Sequence, residues 1–413
     1  MDYNGFNYQN NEENIRKIKR NSTWKGVFIG GGVVLAVAAF FIGCLLAILI
    51  NMRMFNYNGE FALGSDSINK MNELINYVDE HYLYEVDKEA MEDAIYEAIF
   101  NSLGDPYSTY YTEDEYKELM ESTTGTYSGI GVVVQEDVES GYILVVEPYE
   151  NGPAYEAGLR PGDLIVAIEG EDIKDLDINL AVKKIKGEEG TSVNVTVRRD
   201  GKDFDSSITR KVIEIINVDY EMLNDEVGYI AIASFEGAVA KQFEAAYKEL
   251  ETQGMKSLVI DVRSNPGGLM TAVVDILDMF LEEGDMIVYT LDSNGNRVDH
   301  VAKKGVTIDI PCTVLINEHS ASASEIFAGA LQDHDKAEII GTQSFGKGIV
   351  QSVVGLEDGS AFKITIEDYY TPDGHNIHGK GITPDQVVEY DPEVYEEEEI
   401  DTQIQAGVDF LTQ

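Results

Sequence analysis

The sequence predicts an α+β multidomain protein, and three observations carry that prediction. Short β-rich runs fill residues 122–212, strand and helix alternate through 213–390, and an uncharged apolar run occupies 26–50. At 413 residues the chain is long enough for several domains, each with its own core.

Composition narrows the partners. Lys+Arg number 30 against Asp+Glu 75, a formal net charge of −45. Such a surface repels polyanions, so nucleic acid and anionic membrane surfaces are not expected partners. The charge reads first as a solvated acidic surface; a preference for basic substrates is the weaker reading.

Residues 1–25 form a basic leader holding Arg16, Lys17, Lys19, Arg20 and Lys25. The run 26–50 carries no charge and is long enough to span a bilayer as a helix. Only Arg53 follows closely before the chain turns acidic. The positive-inside rule then puts the N-terminus in the cytoplasm and everything after about residue 51 outside. The expectation is a single-pass cell-membrane protein with its bulk extracytoplasmic. A cleaved signal peptide is the rival, but the apolar run is long and its leader extended. FIGC around Cys44 resembles a lipoprotein cleavage site, yet the run continues beyond it, which favours a plain anchor over lipidation. Cys44 in the span cannot pair with Cys312 in a predicted strand, so no disulfide is expected. The histidines are scattered, with no HExxH and no CxxC, so neither a metal site nor a cofactor is expected. His375 and His378 read as a solvated loop.

Residues 65–121 read as a helical region. Ile68, Met71, Leu74, Ile75 and Val78 fall at helical spacing, KEAMEDAIYEAIFNSLG repeats the pattern up to Gly104, and EDEYKELME gives a third helix after DPYSTYYT. In 122–212 the runs GIGVVVQE, GYILVVEPY, DLIVAIEG and TSVNVTVRRDG read as strands, with INLAVKKIKG as an inserted helix. A glycine-bearing loop entering a strand suggests a peptide-binding β-sandwich, in which a partner's C-terminus adds as a strand and loop N–H groups hold its carboxylate. Gly129, Ile130, Gly131 and Val132 are the candidates there. The string YENGPAYEAGLRPGDLIVAIEG resembles the middle of PDZ domains.

In 213–390, VGYIAIASF, SLVIDVRSN, MIVYTL, CTVLINE and AEIIG read as strands. VAKQFEAAYKELETQG, GLMTAVVDILDMFLEEG and SASEIFAGALQD read as helices, and IVQSVVGL with AFKITIEDYY as a hairpin across EDGS. The tail 391–413 is an acidic run followed by a terminal helix.

Two stretches carry chemistry. NEHSASASEIFAGALQD places Ser320, Ser322 and Ser324 at a strand-to-helix turn, and GTQSFGKGIVQ places Lys347 between two glycines. A serine nucleophile needs a base and oxyanion donors. For lysine to be that base near neutrality its pKa must fall by about 3 from roughly 10.4, a bias of about 4 kcal/mol that burial supplies. Apolar FGKGIV suits that. If the stretch is extended, Lys347, Ile349 and Gln351 share a face and Gln351 orients the lysine by a hydrogen bond. Ser264, Asn265, Pro266, Gly267 and Gly268 end a strand before a helix, where backbone N–H groups suit a developing anion. A surface lysine and an ordinary tight turn are the plain alternatives for each piece alone. A Ser–His arrangement with His319 or His334 is the rival chemistry, though His319 is too close in sequence to Ser320 to swing easily into a base position.

Together LGDPYSTYY, the PDZ-like block, VIDVRSNPGGLM, VLINEHSASASEIFAGALQD, GTQSFGKGIVQ and DYYTPDGHNIHGKGITPD resemble the carboxyl-terminal processing (tail-specific) serine peptidases, in the family's order over nearly all of residues 65 to 411. The resemblance implies a Clp/crotonase-like α/β peptidase core with the PDZ and helical domains appended. It implies Ser322 as nucleophile, Lys347 as base, Gln351 as its support, and Ala323 with Gly267 or Gly268 as oxyanion donors. Ser320 and Ser324 become structural, with Ser324 a candidate helix cap. Two departures stand out. His319 replaces a glycine usual before SASAS. Lys186 stands where many relatives carry a PDZ arginine that in some links peptide binding to activity, which puts that switch in doubt here.

The reading is a membrane-anchored serine endopeptidase that docks apolar substrate C-termini in its PDZ domain and cuts flexible or unfolded proteins. Family members often dimerise through terminal helical segments, so the acidic tail is a candidate homodimer interface; a solvated tail is the alternative. The competing class is a catalytically silent PDZ-type scaffold.

Overall fold

The computed structural model describes residues 63–150 and 152–413. The leader 1–25, the expected anchor 26–50 and Cys44 lie outside the described residues. Among the described residues no helix is long and apolar enough to cross a membrane.

The chain divides into two units after Asp87. The first contains helix α1 (Ser65–His81), which forms over the expected apolar spacing but buries none of its residues. Asp66 in its first turn and His81 in its last complement the helix dipole.

The second unit opens with α2 (Lys88–Asn101), followed by a turn with Gly104 at φ 68. DPYSTYY, which has no clear period, then forms strand β1 (Thr109–Tyr111) and pairs antiparallel with residues of Ala361–Tyr370. The region 65–121 is therefore not helical throughout: tertiary pairing makes a strand where local pattern is silent. Helix α3 (Glu113–Thr124) starts at a capping box, in which Thr112 and Glu115 exchange side-chain-to-backbone bonds.

A β-rich domain follows, in the order β2 (Thr126–Gly129), β3 (Val132–Asp137), β4 (Tyr142–Pro148), α4 (Pro153–Glu156), β5 (Leu164–Ile168), β6 (Glu171–Asp172), α5 (Ile178–Ile185), β7 (Ser192–Arg199), β8 (Lys202–Thr209) and β9 (Lys211–Glu214). Strands β3-β4-β5-β7-β8 make one antiparallel sheet, with β6 beside β5. Strands β2 and β9 pair as a separate ribbon through which the chain enters and leaves. Inward residues such as Ile143, Val145, Ile165, Val193 and Val195 pack on Ala181 and Ile185 of α5. Strand β8 is absent from the sequence reading because KDFDSSIT exposes most of its polar side chains.

The larger domain runs β10 (Val218–Met222), β11 (Val227–Ile232), α6 (Val239–Thr252), β12 (Ser257–Asp261), α7 (Met270–Leu277), β13 (Met286–Asp292), β14 (Arg297–Val301), β15 (Cys312–Ile316), α8 (Ala323–Asp333), β16 (Glu338–Gly341), β17 (Ile349–Gly355), β18 (Ala361–Tyr370), β19 (Gln386–Val387), α9 (Pro392–Glu398) and α10 (Thr402–Leu411). Its main sheet has the order β10-β11-β12-β15-β16-β19, parallel from β11 onward, with β10 antiparallel at one edge.

Both faces of that sheet are covered, which is why SLVID and CTVLI read as unbroken apolar runs. Leu258, Ile260, Val314 and Ile316 face a core shared with α6, α7 and α8. Val259, Leu315 and Ile340 face Ile404 and Val408 of α10. A second, antiparallel sheet of β1, β18, β13 and β14, with β17 on β18, completes the domain; the expected β17–β18 hairpin is present.

Phe327 on α8 is fully buried, tilted against Phe235 and edge-on to Phe280. Phe327→Ala should destabilise the protein by about 3–5 kcal/mol. Urea unfolding followed by tryptophan-independent far-UV dichroism checks this; a loss under about 1 kcal/mol would show that the α8 cluster collapses to fill the gap.

Candidate active site

Three adjacent parallel strands deliver the candidate residues at their C-terminal ends, the edge where open α/β sheets place ligands. After β12 the chain makes the Ser264–Gly268 loop, after β15 the serine-rich turn, and after β16 the segment holding Lys347. Ser322, Lys347, Gln351, Ala323, Gly267 and Gly268 all line one cavity of about 340 Å³.

Ser322 sits at the start of α8 with φ 56 and ψ −113, a conformation costly for a residue with a side chain. Such strain persists only where neighbours over-determine it, and they do. The Ser322 N–H donates to Glu325 Oε2 at 2.9 Å, and the Tyr369 hydroxyl lies 2.9 Å from the Ser322 carbonyl oxygen. Ser320 Oγ donates to the Val262 carbonyl at 2.7 Å, and Ser324 Oγ to the Asn265 carbonyl at 2.9 Å. The flanking serines thus stitch the nucleophile turn to the glycine loop. Ser324 is not the helix cap, because Ser322 holds that place and Ser324 faces the neighbouring loop.

The glycines of the loop are needed for close approach. At Gly267 (φ 105) a Cβ would lie 2.7 Å from Ser322 Cβ, and at Gly268 (φ 142) 2.5 Å from the Phe235 carbonyl oxygen. Fully buried Asn265 clamps the loop, donating from Nδ2 to the Ile232 carbonyl and accepting from the Gly267 N–H at 2.9 Å. With the Gly267 N–H so engaged, the Gly268 N–H is the better oxyanion donor of the two. Ala323 supplies the first amide of α8, which has no acceptor within its helix.

Lys347 is half-buried, with Nζ 4.9 Å from the Tyr107 ring centroid. Burial pushes its ammonium below the ordinary value and Lys363 adds to this, while Asp105 and Glu325 pull the other way. Asp105 is itself occupied. Burial opposes its ionisation, but hydrogen bonds from Ser108, Thr365 and the Tyr107 amide outweigh that and hold its carboxyl below the usual range. The glycines around Lys347 do not make room for it. A Cβ on Gly348 would meet the His378 amide at 2.4 Å, and one on Gly346 the Lys380 amide at 3.0 Å, so the 377–381 loop packs directly on the lysine's backbone.

Gln351 does not hydrogen-bond Lys347. Strand β17 begins only at Ile349, so Lys347 lies outside the extended run expected to align the two side chains. Gln351 still lines the cavity, and among the described residues its Nε2 has no hydrogen-bond partner. The histidine rival falls away. His319 is two-thirds exposed beside Glu318, and His334 Nε2 is bonded to the Met286 carbonyl.

The residue that joins these pieces is Glu325, which sequence reasoning missed. Its fully buried carboxylate accepts from Ser322 N, Lys347 N, Gly346 N and Ser344 Oγ at 2.6 to 2.9 Å. The available signal was a glutamate three residues after a serine that starts a helix. Fully buried Tyr369 does the same from the other side, its hydroxyl reaching both the Ser322 and Lys347 carbonyl oxygens.

In the smaller domain Gly129, Ile130, Gly131, Val132 and Lys186 line an apolar groove with Tyr127, Val134, Val182 and Ile185. The side chains of β3 and α5 face each other across it, as a strand-adding peptide requires. Lys186 Nζ lies 2.9 Å from Glu121 Oε2 and 4.9 Å from the Tyr127 ring centroid.

Fold and site define a serine peptidase carrying a PDZ domain. The PDZ domain family matches residues 144–199, and peptidase family S41 matches 226–388. Over 384 residues the chain is 33% identical to a "Probable CtpA-like serine protease" of Staphylococcus aureus (strain COL), covering 92% of this chain and 76% of that one. It is 35% identical over 322 residues to the "Carboxy-terminal processing protease CtpA" of Bacillus subtilis (strain 168), covering 78% and 69%. Among solved structures, the photosystem II D1 C-terminal processing protease has 30% identity and a TM-score of 0.47, covering 84% of this chain and 91% of that one. The chain belongs to peptidase family S41, and is a serine-type C-terminal processing endopeptidase, as the motif resemblance implies.

Glu325→Gln puts an amide N–H group among four donors. It should cost about 2–3 kcal/mol and, by loosening both backbones, lower kcat/KM by about 100-fold. Unfolding and peptidase assays on the same preparation check it; parent-like activity would show that the carboxylate is only structural filler.

Proposed function

We propose that this chain is a membrane-anchored endopeptidase that works through a Ser322–Lys347 dyad on C-termini held by its PDZ domain. The observation that carries the reading is one shared cavity holding a strained serine, a lysine whose charge burial disfavours, and two amides positioned for an oxyanion. In this reading neutral Lys347 takes the Ser322 hydroxyl proton as Oγ attacks the scissile carbonyl. The N–H groups of Ala323 and Gly268 meet the oxyanion. The lysine ammonium then protonates the leaving amine, and Lys347 activates the water that hydrolyses the acyl-enzyme. Gln351 is positioned to meet substrate or lysine once the cavity is filled.

The apolar groove at Ile130 and Val132, with Lys186 at its rim, supports docking of apolar C-terminal tails. The basic leader and the uncharged run 26–50 support a single-pass anchor with the peptidase outside the cytoplasm.

The test follows cleavage of an unfolded protein with an apolar C-terminus. Ser322→Ala and Lys347→Ala should each lose activity by at least about 1000-fold while still binding the tail. Activity that survives Lys347→Ala sinks the dyad. A parent that binds tails without cutting them points to a scaffold.

The pH profile gives a second test. The base is active when deprotonated, so kcat/KM should rise with pH through the Lys347 pKa. Lys363→Gln removes a neighbouring cation, lets Lys347 hold its proton longer, and should move that rise to higher pH. Asp105→Asn removes an anion and should move it to lower pH. Identical profiles for parent and both variants would exclude Lys347 as the titrating base.

A further inference from the structure

The end of the chain reaches the glycine loop through one guanidinium. Arg263 lies two residues past the end of β12 and directly precedes the 264–268 loop, and its side chain is 14% exposed. Its Nε and Nη2 donate to the Asp261 carboxylate at 2.6 to 3.0 Å. Its Nη1 donates to Asp401 Oδ1 at 3.1 Å, Asp401 Oδ2 at 2.9 Å and Gln403 Oε1 at 2.8 Å. The acceptors on the tail are themselves fixed. Asp401 caps α10, taking the amides of Gln403 and Ile404. Gln403 is 2% exposed and donates from Nε2 to the Val388 carbonyl at 2.7 Å.

The loop needs holding from outside. Ser264 has φ 58, an uncommon conformation for a residue with a side chain, and Gly267 and Gly268 have φ 105 and 142; contacts from other segments hold this path, among them Asn317 Oδ1 accepting from the Ser264 N–H at 2.8 Å. Asp261 lies only two residues from Arg263 and fixes one edge of its fork. Asp401 fixes the other edge from a segment packed on the opposite face of the sheet.

We propose that Asp401, acting through Arg263, is a positioning residue for the peptidase reaction: the C-terminal helix holds the 264–268 loop so that the Gly268 amide points at the reacting carbonyl. This rests on Ser322 being the nucleophile that the loop serves. It makes the tail part of the active-site scaffold, whether or not the tail also meets a second copy.

The test uses the full chain in detergent. Asp401→Asn keeps the size and the helix cap but removes the charge on Arg263. Asp391→Asn is the control, since Asp391 caps α9 through the amides of Glu393 and Val394 and lies outside the Arg263 cluster. Asp401→Asn should lower kcat about tenfold with KM within about twofold, and speed hydrogen exchange across 264–268 about tenfold. Asp391→Asn should match the parent in both readouts. Parent-like kcat and loop exchange in Asp401→Asn, or an equal loss in Asp391→Asn, overturns the proposal. If Asp401→Asn does not fold, Gln403→Met should show a loss of about threefold by the same two readouts, and no change there overturns it. Fluorophosphonate labelling of the parent, abolished by Ser322→Ala, tests the nucleophile separately; loop exchange still decides the role of Asp401 if that labelling fails.

Discussion

The active site depends on one buried carboxylate. Glu325 takes a backbone amide from the nucleophile turn and two from the lysine segment, together with the Ser344 hydroxyl. Those two segments leave different strands and share little else. A carboxylate can serve them all because it only accepts, and its two oxygens offer about four lone-pair sites. Every donor it holds is otherwise an unpaired polar group in the interior, which costs about 1–3 kcal/mol each. Stability and alignment therefore have the same source. Tyr369 completes the arrangement by donating where Glu325 accepts, against the Ser322 and Lys347 carbonyl oxygens. Burial of that phenol pushes its pKa well above the ordinary value, which favours the protonated form that donates.

Much of this was legible in the sequence, and the parts that were not share a reason. The alternation of 213–390 pointed to the core sheet and its helices, since central strands such as β12 and β15 are buried on both faces and read as unbroken apolar runs. Ser322, Ala323, Lys347, Gln351, Gly267 and Gly268 come together in one cavity. What sequence could not give was anything set by contacts between distant segments. Strand β1 exists because β18 pairs with it. The expected Gln351–Lys347 bond is not formed, and Lys347 lies before the start of β17, a boundary that the sequence does not mark. The glycines beside Lys347 admit another backbone, the 377–381 loop, which no local pattern announces. Glu325 looked like part of the first turn of an ordinary helix, with Ser324 as its candidate cap. Its importance appears only when β16 brings Ser344 and Lys347 across to it.

The two domains meet the site through a common element. Helix α3 places Leu119 and Thr123 in the cavity wall, while Ser122 Oγ donates to Glu236 Oε2 at 2.8 Å and Glu121 pairs with Lys186 of the PDZ groove. The short stretch 119–123 thus touches both the peptide groove and the catalytic cavity. Gly125, at φ 65, ends that helix, and a Cβ there would lie 2.5 Å from Gly237 Cα, so the junction is packed backbone on backbone. With no side chains between them, the two chains cannot slide past one another without losing contact. The sequence separates these residues by more than a hundred positions, and only the fold makes them neighbours.

The proposed lysine base in so acidic a protein poses a physical problem that the site resolves locally. A net charge of −45 would by itself stabilise an ammonium. Exposed carboxylates farther than about 8–10 Å are largely screened at ordinary ionic strength, however, so only near neighbours decide the lysine's state. The near carboxylates are Asp105 and Glu325, and each is already turned toward hydrogen-bond donors, which disperses its charge away from Nζ. Against them stand burial of the lysine and the charge of Lys363 across the same cavity. Bound substrate tilts the balance further, because filling the cavity removes the water that would solvate an ammonium but not the amides that would stabilise an oxyanion. In the proposed mechanism, the event that brings the scissile carbonyl to Ser322 therefore also favours the neutral amine that the dyad requires.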